Sequence, residues 1–319
     1  MIFRPTVESD LDRLLPLIVT DPAGSLTAQT YRDRLSSGEY RPGWTWIAED
    51  AADRTPLALA VWWGDADEAQ PGALDGVFVH ESVRSDAERT ALAAELLTAA
   101  HTAYAGAGLE TAPEYHFFLP GDWHDRPDTV AAVAWRREAA RRAGLPVSLE
   151  RLRYEWTPQA GLPEPSGRLL FGAEPDDEVF VDLFRRALVG TLDTDSRKEA
   201  ERVGAEAQAR DDVAFYRDNM LGDRSWWRIA RTPDGEPVGF GLPSRNHAFP
   251  VVGYLGVLPE HRGRGYADEI LADITRVLVS ATDPERVRAD TDLTNAPMAA
   301  AFERVGYLNN ARRLVLSAH

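Results

Sequence analysis

Apolar positions along the chain alternate between a period of two and a period near 3.6, the mark of strands interleaved with helices. Trp44-Thr45-Trp46-Ile47-Ala48 and Pro56-Leu57-Ala58-Leu59-Ala60-Val61 read as one hairpin. Trp226-Trp227-Arg228-Ile229-Ala230 and Pro237-Val238-Gly239-Phe240-Gly241-Leu242 read as another, with Asp234-Gly235 as turn residues. Gly76-Val77-Phe78-Val79 precedes an amphipathic stretch over 86–103, as Gly256-Val257-Leu258 precedes one over 264–279. Arg142-Ala143-Gly144-Leu145 then echoes Arg304-Val305-Gly306-Tyr307, and each is followed by a closing strand, over 149–156 and 312–316. The order of elements is thus repeated, the second half carrying a longer helical region over 177–220. Between the halves, residues 157–167 hold three prolines and two glycines, which neither a helix nor a central strand can cross. The pattern predicts a domain over 1–157, a linker over 158–167 and a domain over 168–319. The fold class is α+β, each half a mixed central sheet flanked by helices.

Composition narrows the function. The 319 residues are 44% hydrophobic and 27% charged, enough apolar material for a substantial core. No apolar run approaches the roughly 20 residues of a membrane helix, and the acid-containing start MIFRPTVESDLDRL does not read as a signal peptide, so a cytoplasmic location is expected. With 51 acids against 35 bases, a net charge of −16 disfavours general nucleic-acid binding; it speaks first to solubility, and an acidic surface would also tolerate or attract a cationic substrate. The absence of cysteine excludes disulfides, thiolate metal sites and a thiol nucleophile. His116 and His124 with Asp122 and Asp125 match no ligand spacing, so no metal is expected.

The most informative segment runs from Val251 to Ala267: a β-rich run, then His261-Arg262-Gly263-Arg264-Gly265-Tyr266-Ala267, then a helix with Ile270, Leu271, Ile274, Val277 and Leu278 at helical spacing. Glycines at a strand-to-helix turn let an anion approach backbone amides that the helix start leaves free. His261, Arg262 and Arg264 add local positive charge to a net-negative chain. No Lys-Ser or Lys-Thr follows the glycines, so the loop is not a Walker motif, and it lacks the three-glycine dinucleotide spacing. About 30 residues on comes Asp290-Thr291-Asp292-Leu293-Thr294-Asn295-Ala296-Pro297-Met298, with Phe302, Gly306 and Tyr307 beyond. Asn295 and Pro297 suit a helix start, and Met298, Phe302 and Val305 share one face of that helix.

The two segments together resemble the GNAT N-acetyltransferases, which transfer an acyl group from coenzyme A to an amine. The resemblance covers about residues 250 to 310, and more weakly the whole second half, and the halves together resemble a tandem pair of GNAT-like domains, a plan similar to that of mycothiol synthase. It implies that residues 262–267 hold the pyrophosphate of acetyl-CoA, and that Leu255, Gly256 and Val257 lie on a splayed strand whose backbone bonds the pantetheine arm and the acyl carbonyl. Asn295 matches a position that contacts the pantetheine, and Phe302, seven residues on, stands where many members carry a tyrosine that protonates the leaving thiolate. Tyr254, Tyr307 and Tyr266 are then the candidate acids, with a bound water as the equal alternative. Glu260, Asp290, His247 and Tyr254 are the candidate bases.

Where the first half should carry the loop it reads His80-Glu81-Ser82-Val83-Arg84-Ser85-Asp86-Ala87-Glu88, without glycine and with three acids, so this half is expected to bind no coenzyme. Its later arginines, Arg136, Arg137, Arg141 and Arg142, read as a solvated helix face, with a partner surface as the alternative. The expected activity is acetyl transfer from acetyl-CoA to an amine acceptor by direct attack in a ternary complex. A non-catalytic acyl-CoA-binding or scaffolding protein is the alternative that Phe302 leaves open, and a nucleotide-dependent enzyme using the same loop is a third.

Overall fold

The structure, a computed structural model, describes residues 1–246 and 248–319. His247 therefore lies outside the described residues. The chain divides into two compact units, one of residues 1–150 with 312–319 and one of residues 151–311.

Unit 1 runs β1 (Ile2–Pro5), α1 (Leu11–Leu14), α2 (Ala28–Ser37), β2 (Thr45–Glu49), β3 (Pro56–Trp63), β4 (Ala73–Val79), α3 (Asp86–Gly106), β5 (Glu114–Pro120), α4 (Pro127–Arg142) and the start of β6 (Val147–Trp156). Unit 2 continues with the rest of β6, then β7 (Leu170–Ala173), α5 (Asp177–Ala187), α6 (Thr194–Val203), α7 (Ala205–Asp218), β8 (Arg228–Arg231), β9 (Pro237–Arg245), β10 (Pro250–Val257), α8 (Tyr266–Thr282), β11 (Val287–Asp292), α9 (Ala296–Arg304) and the start of β12 (Leu308–Ser317). No helix among the described residues is long and apolar enough to cross a membrane.

Each unit is a mixed sheet with helices. In unit 1 the strand order is β1-β2-β3-β4-β5-β12, and in unit 2 it is β7-β8-β9-β10-β11-β6. The two expected closing strands are therefore exchanged: the strand at the end of the first half lies beside β11, and the strand from the C-terminus lies beside β5. The division also falls ahead of the expected 158–167 linker, inside β6, because that strand pairs with β11 continuously from Arg151↔Asp292 to Trp156↔Val287. The proline-rich run follows the strand instead of separating two domains.

Period-two burial builds the cores. In β3 of unit 1, Ala58, Ala60 and Trp62 join the cluster under α3 and α4, while Leu59 and Val61 join Leu14, Tyr31 and Phe78 on the other face. In unit 2, Ile270, Leu271, Ile274 and Leu278 of α8 pack with Phe302 and Tyr154 on one face, and Phe180 and Phe184 of α5 with Phe240 and Leu242 on the other. Helix α8 lies unusually close to its sheet: a Cβ on Gly241 would sit 2.6 Å from Ile274 Cγ1. That contact sets the height of α8 over β9 and β10, and hence where its first turn meets the end of β10.

Candidate active site

The geometry begins with a sheet that opens. Strands β10 and β11 are parallel neighbours, yet among the described residues their ladder has the single pair Val251↔Arg288. On its other side β10 pairs with β9 along its length, with a bulge between Val252 and Tyr254. Beyond the bulge the Leu258 N–H donates to the Val238 carbonyl, so by alternation Gly256 also faces β9, while Leu255 and Val257 turn their N–H and C=O groups to the open side. Gly256 is closed off in another way, since a Cβ there would meet the Phe240 ring at 2.6 Å.

At the end of β10 the chain turns through Pro259-Glu260-His261 into the glycine loop. Gly263 and Gly265 have φ of +75° and +76°, left-handed values that favour glycine. Gly265 is the N-cap of α8, and no side chain of the described residues caps the amides of its first turn. Two first-turn acids that would repel an anion are each drawn to an arginine: Asp268 to Arg304, at 2.6 and 2.8 Å, and Glu269 to Arg168. Tyr266 is half-buried, 5.2 Å beneath the Arg168 guanidinium, and Ala267 follows it in the first turn. The Arg264 side chain has no partner among the described residues and is exposed. Uncapped amides, two glycines and an uncommitted guanidinium form a cradle that fits a pyrophosphate.

Arg262 differs from expectation. Its guanidinium donates to the carbonyls of Val257 (3.0 Å), Val189 (2.6 Å), Gly190 (3.2 Å) and Ala187 (2.7 Å), so its side chain holds the loop to the C-terminus of α5 and is not free for a phosphate. His261 is buried, its Nε2 3.4 Å from Glu236, with neither ring nitrogen in a hydrogen bond among the described residues.

The remaining sequence candidates separate. Asn295 is the N-cap of α9, its Oδ1 accepting from the Met298 N–H at 3.3 Å. Phe302 is 2% exposed, stacked on Tyr154 with centroids 4.8 Å apart. Tyr307 is fully buried against Phe302 and its hydroxyl is hydrogen-bonded to Thr275 at 2.7 Å, so it is a core tyrosine with no face toward a substrate. Glu260 is half exposed and 2.5 Å from Arg186; a backbone N–H, and after it Arg186, hold its carboxyl below the usual range, which makes it a weak base. Asp290 lies opposite Arg153 in the β6–β11 ladder. Tyr254 stays: it follows the bulge, its ring packs on Phe184 and Phe240, and burial, then the charges of Asp193 and Asp212, push its phenol up, so that it remains a proton donor and not a base.

The sequence reading missed the helical side of the site. On α7, Gln208, Asp212 and Tyr216 share one face at spacings of four. The Tyr216 hydroxyl donates to the carbonyl of the bulge residue Gly253 at 2.7 Å, bringing this face to the opening. Asp292, 1% exposed at the end of β11, accepts from Arg151 Nε at 3.1 Å and from the Thr194 N–H at 2.7 Å, which ties the start of α6 to the same end of the sheet.

The corresponding place in unit 1 is filled. Strands β4 and β5 also part after Ala73↔Glu114 and Leu74↔Tyr115, but the Arg136 guanidinium occupies the neighbourhood, donating to the Val77 carbonyl at 3.0 Å and pairing with Asp21 at 2.5 Å. Arg136 is 4% exposed, which corrects its assignment to a solvated face. The start of α3 is closed as well: Ser85 and Glu88 form a reciprocal capping box.

Against this geometry the comparisons are specific. Residues 174–308 match the model of the acetyltransferase (GNAT) domain. No curated protein matches the chain by sequence. The chain is similar in structure to a GCN5-related N-acetyltransferase from Sphaerobacter thermophilus, at 17% identity and a TM-score of 0.58, covering 99% of this chain and 94% of that one. It is also similar to a GCN5-related glucosamine N-acetyltransferase region of a fungal multi-domain GH3 beta-N-acetylglucosaminidase, at 15% identity and a TM-score of 0.54, covering 99% of this chain and 38% of that one. A tandem GNAT protein from the clavulanic acid biosynthesis pathway matches at 17% identity and a TM-score of 0.49, over 100% and 98% of the two chains. Within unit 2, residues 174–308 thus match the GNAT acetyltransferase domain model, and the whole chain shares the fold of a GCN5-related N-acetyltransferase structure.

Proposed function

We propose that unit 2 transfers an acetyl group from acetyl-CoA to the amine of a small-molecule acceptor, by direct attack with both substrates bound. The observation that carries this reading is the continuity of the opened edge of β10 with the uncapped start of α8. The backbone groups of Leu255 and the N–H of Val257, whose carbonyl is taken by Arg262, face one side of a cleft, and the uncapped amides of α8 lie at its end. As substrate, acetyl-CoA supplies an activated thioester. The chain supplies N–H groups that can hold a carbonyl oxygen as charge develops on it, and it brings the reactants together. A thiolate is a fair leaving group, with a thiol pKa near 8.5, so a phenylalanine at 302 is compatible with turnover.

One coenzyme per chain is expected, because Arg136 and the Ser85–Glu88 box occupy the equivalent features of unit 1. Gly265→Val places a β-branched residue at a φ of +76° where the pyrophosphate lies, and should weaken coenzyme A binding at least tenfold, or about 1.4 kcal/mol. Calorimetry that finds two equivalent sites, or an unaffected variant, contradicts the reading. Initial-rate plots with varied acetyl-CoA and amine should intersect; parallel lines, or an isolable acetyl-enzyme competent for transfer, would replace direct attack with a covalent route through Ser, His or Lys.

A further inference from the structure

Two oxygens on the α7 face lack the partners that burial demands. Gln208 is 7% exposed and its Nε2 donates to Asp212 Oδ1 at 2.9 Å, yet neither Gln208 Oε1 nor Asp212 Oδ2 has a hydrogen bond among the described residues. Leaving such acceptors empty is costly, so the pair is suited to a ligand that brings N–H donors. Asp212 lies four residues, about 6 Å along the helix axis, from Tyr216, whose hydroxyl holds the Gly253 carbonyl at the bulge. Tyr254, the next residue, feels the Asp212 charge.

Resting on the acyl-transfer reading, we propose that the acceptor is a primary amine bound as its ammonium between Asp212 and the side-chain carbonyl of Gln208, and that Asp212 is the base that removes its proton. The ammonium gives one proton to the Asp212 carboxylate, which passes it to solvent. The freed nitrogen lone pair forms the C–N bond as the C–S bond breaks with its electron pair on sulfur, and the second nitrogen proton ends on that sulfur.

The surroundings suit the role. From α6 and its cap, Asp193 and Glu199 add negative charge, as Asp211 does from α7 itself; Tyr254 of β10 and Tyr216 face the group as neutral phenols, and Arg151 acts on Tyr216 from β6. On the α5 side, Glu178 and Asp177 are paired with Arg210 and Arg217. Burial, ahead of these acids, pushes the Asp212 carboxyl up to about 7, within reach of an amine's proton near neutral pH.

The test uses methylamine as probe and the full chain. Thiol release from acetyl-CoA should be accelerated by methylamine, with an acidic limb near pH 7, and Asp212→Asn should lower kcat/KM about a hundredfold or more and remove that limb while coenzyme A binding stays within about twofold. In carbon-13 spectra the Asp212 carboxyl signal, assigned through Asp212→Asn or through Asp212→Glu should the former not fold, should shift saturably with methylammonium and not with tetramethylammonium, which has no N–H. A variant with native rate and an unchanged acidic limb, or a carboxyl signal indifferent to methylammonium, overturns the assignment alone. Failure of the native chain to bind coenzyme A, or thiol release that no amine accelerates, overturns the acyl-transfer reading and the assignment with it.

Discussion

At the scale of single residues, a carboxyl that stays protonated to higher pH when folded leaves a trace in stability. The Asp212 carboxyl is raised to about 7 by burial, then by the neighbouring acids, against the lowering hydrogen bond from Gln208. In the unfolded chain it titrates near 3.9. Between those values the folded chain holds a proton that the unfolded chain has lost, so this group's contribution to stability falls as pH rises from about 4 to about 7. An asparagine side chain at this position would have no such proton to lose. Asp212→Asn should therefore gain stability relative to the native chain between pH ~5 and ~8, and melts that show no relative gain would place the carboxyl in its ordinary range. Phe302 marks the opposite kind of residue. Its ring is stacked on Tyr154 and edge-on to Tyr307, so Phe302→Ala should cost about 3–5 kcal/mol, read by denaturant unfolding, through the cavity it leaves. Residues of Phe302's type were legible from helical spacing alone. Asp212 was not, because a polar residue in a long polar helical region reads as solvent-facing until the packing of α7 on β10 is known.

At the scale of elements, the two arginines of the glycine loop divide the work of building it and using it. Arg262 binds four backbone carbonyls, three of them at the end of α5, so Arg262→Met should destabilise the chain by about 2 kcal/mol, the order of a charged hydrogen bond lost with its acceptors left over. Arg264→Met should leave stability within about 0.5 kcal/mol and weaken coenzyme A binding, by less as salt is raised. If the melting point falls for Arg264 and affinity alone falls for Arg262, the assignment is reversed. In the sequence both read only as positive charge beside two glycines. The elements themselves were legible: the hairpins at 44–61 and 226–242 appear as β2–β3 and β8–β9, and the stretches at 86–103 and 264–279 as α3 and α8, because alternation and helical periodicity are local. The open edge of β10 was available only through family resemblance, since no periodicity reports which strand pairs part.

At the scale of the whole molecule, the exchange of closing strands decides what can be cut. The stretches at 149–156 and 312–316 carry the same alternation after the same glycine signal, so nothing local tells which sheet either one joins. Unit 2 takes Arg151–Trp156 along β11, and with it the buried side chains of Leu152, Tyr154 and Trp156. Burial of each such side chain stabilises by about 1.5–3 kcal/mol, so removing three is comparable with the roughly 5–15 kcal/mol that holds a domain together. A chain limited to residues 165–319 would also leave β11 with an unpaired edge. That chain should be insoluble or lack a cooperative melt, whereas one limited to 145–319, which keeps the whole of β6, should recover structure in unit 2 and bind coenzyme A. The comparison separates a strand requirement from any need for the first half itself. A soluble 165–319 chain that melts cooperatively and binds coenzyme A as the full chain does would show that β6 is dispensable, and that the open β10 edge and its glycine loop stand on the second half alone.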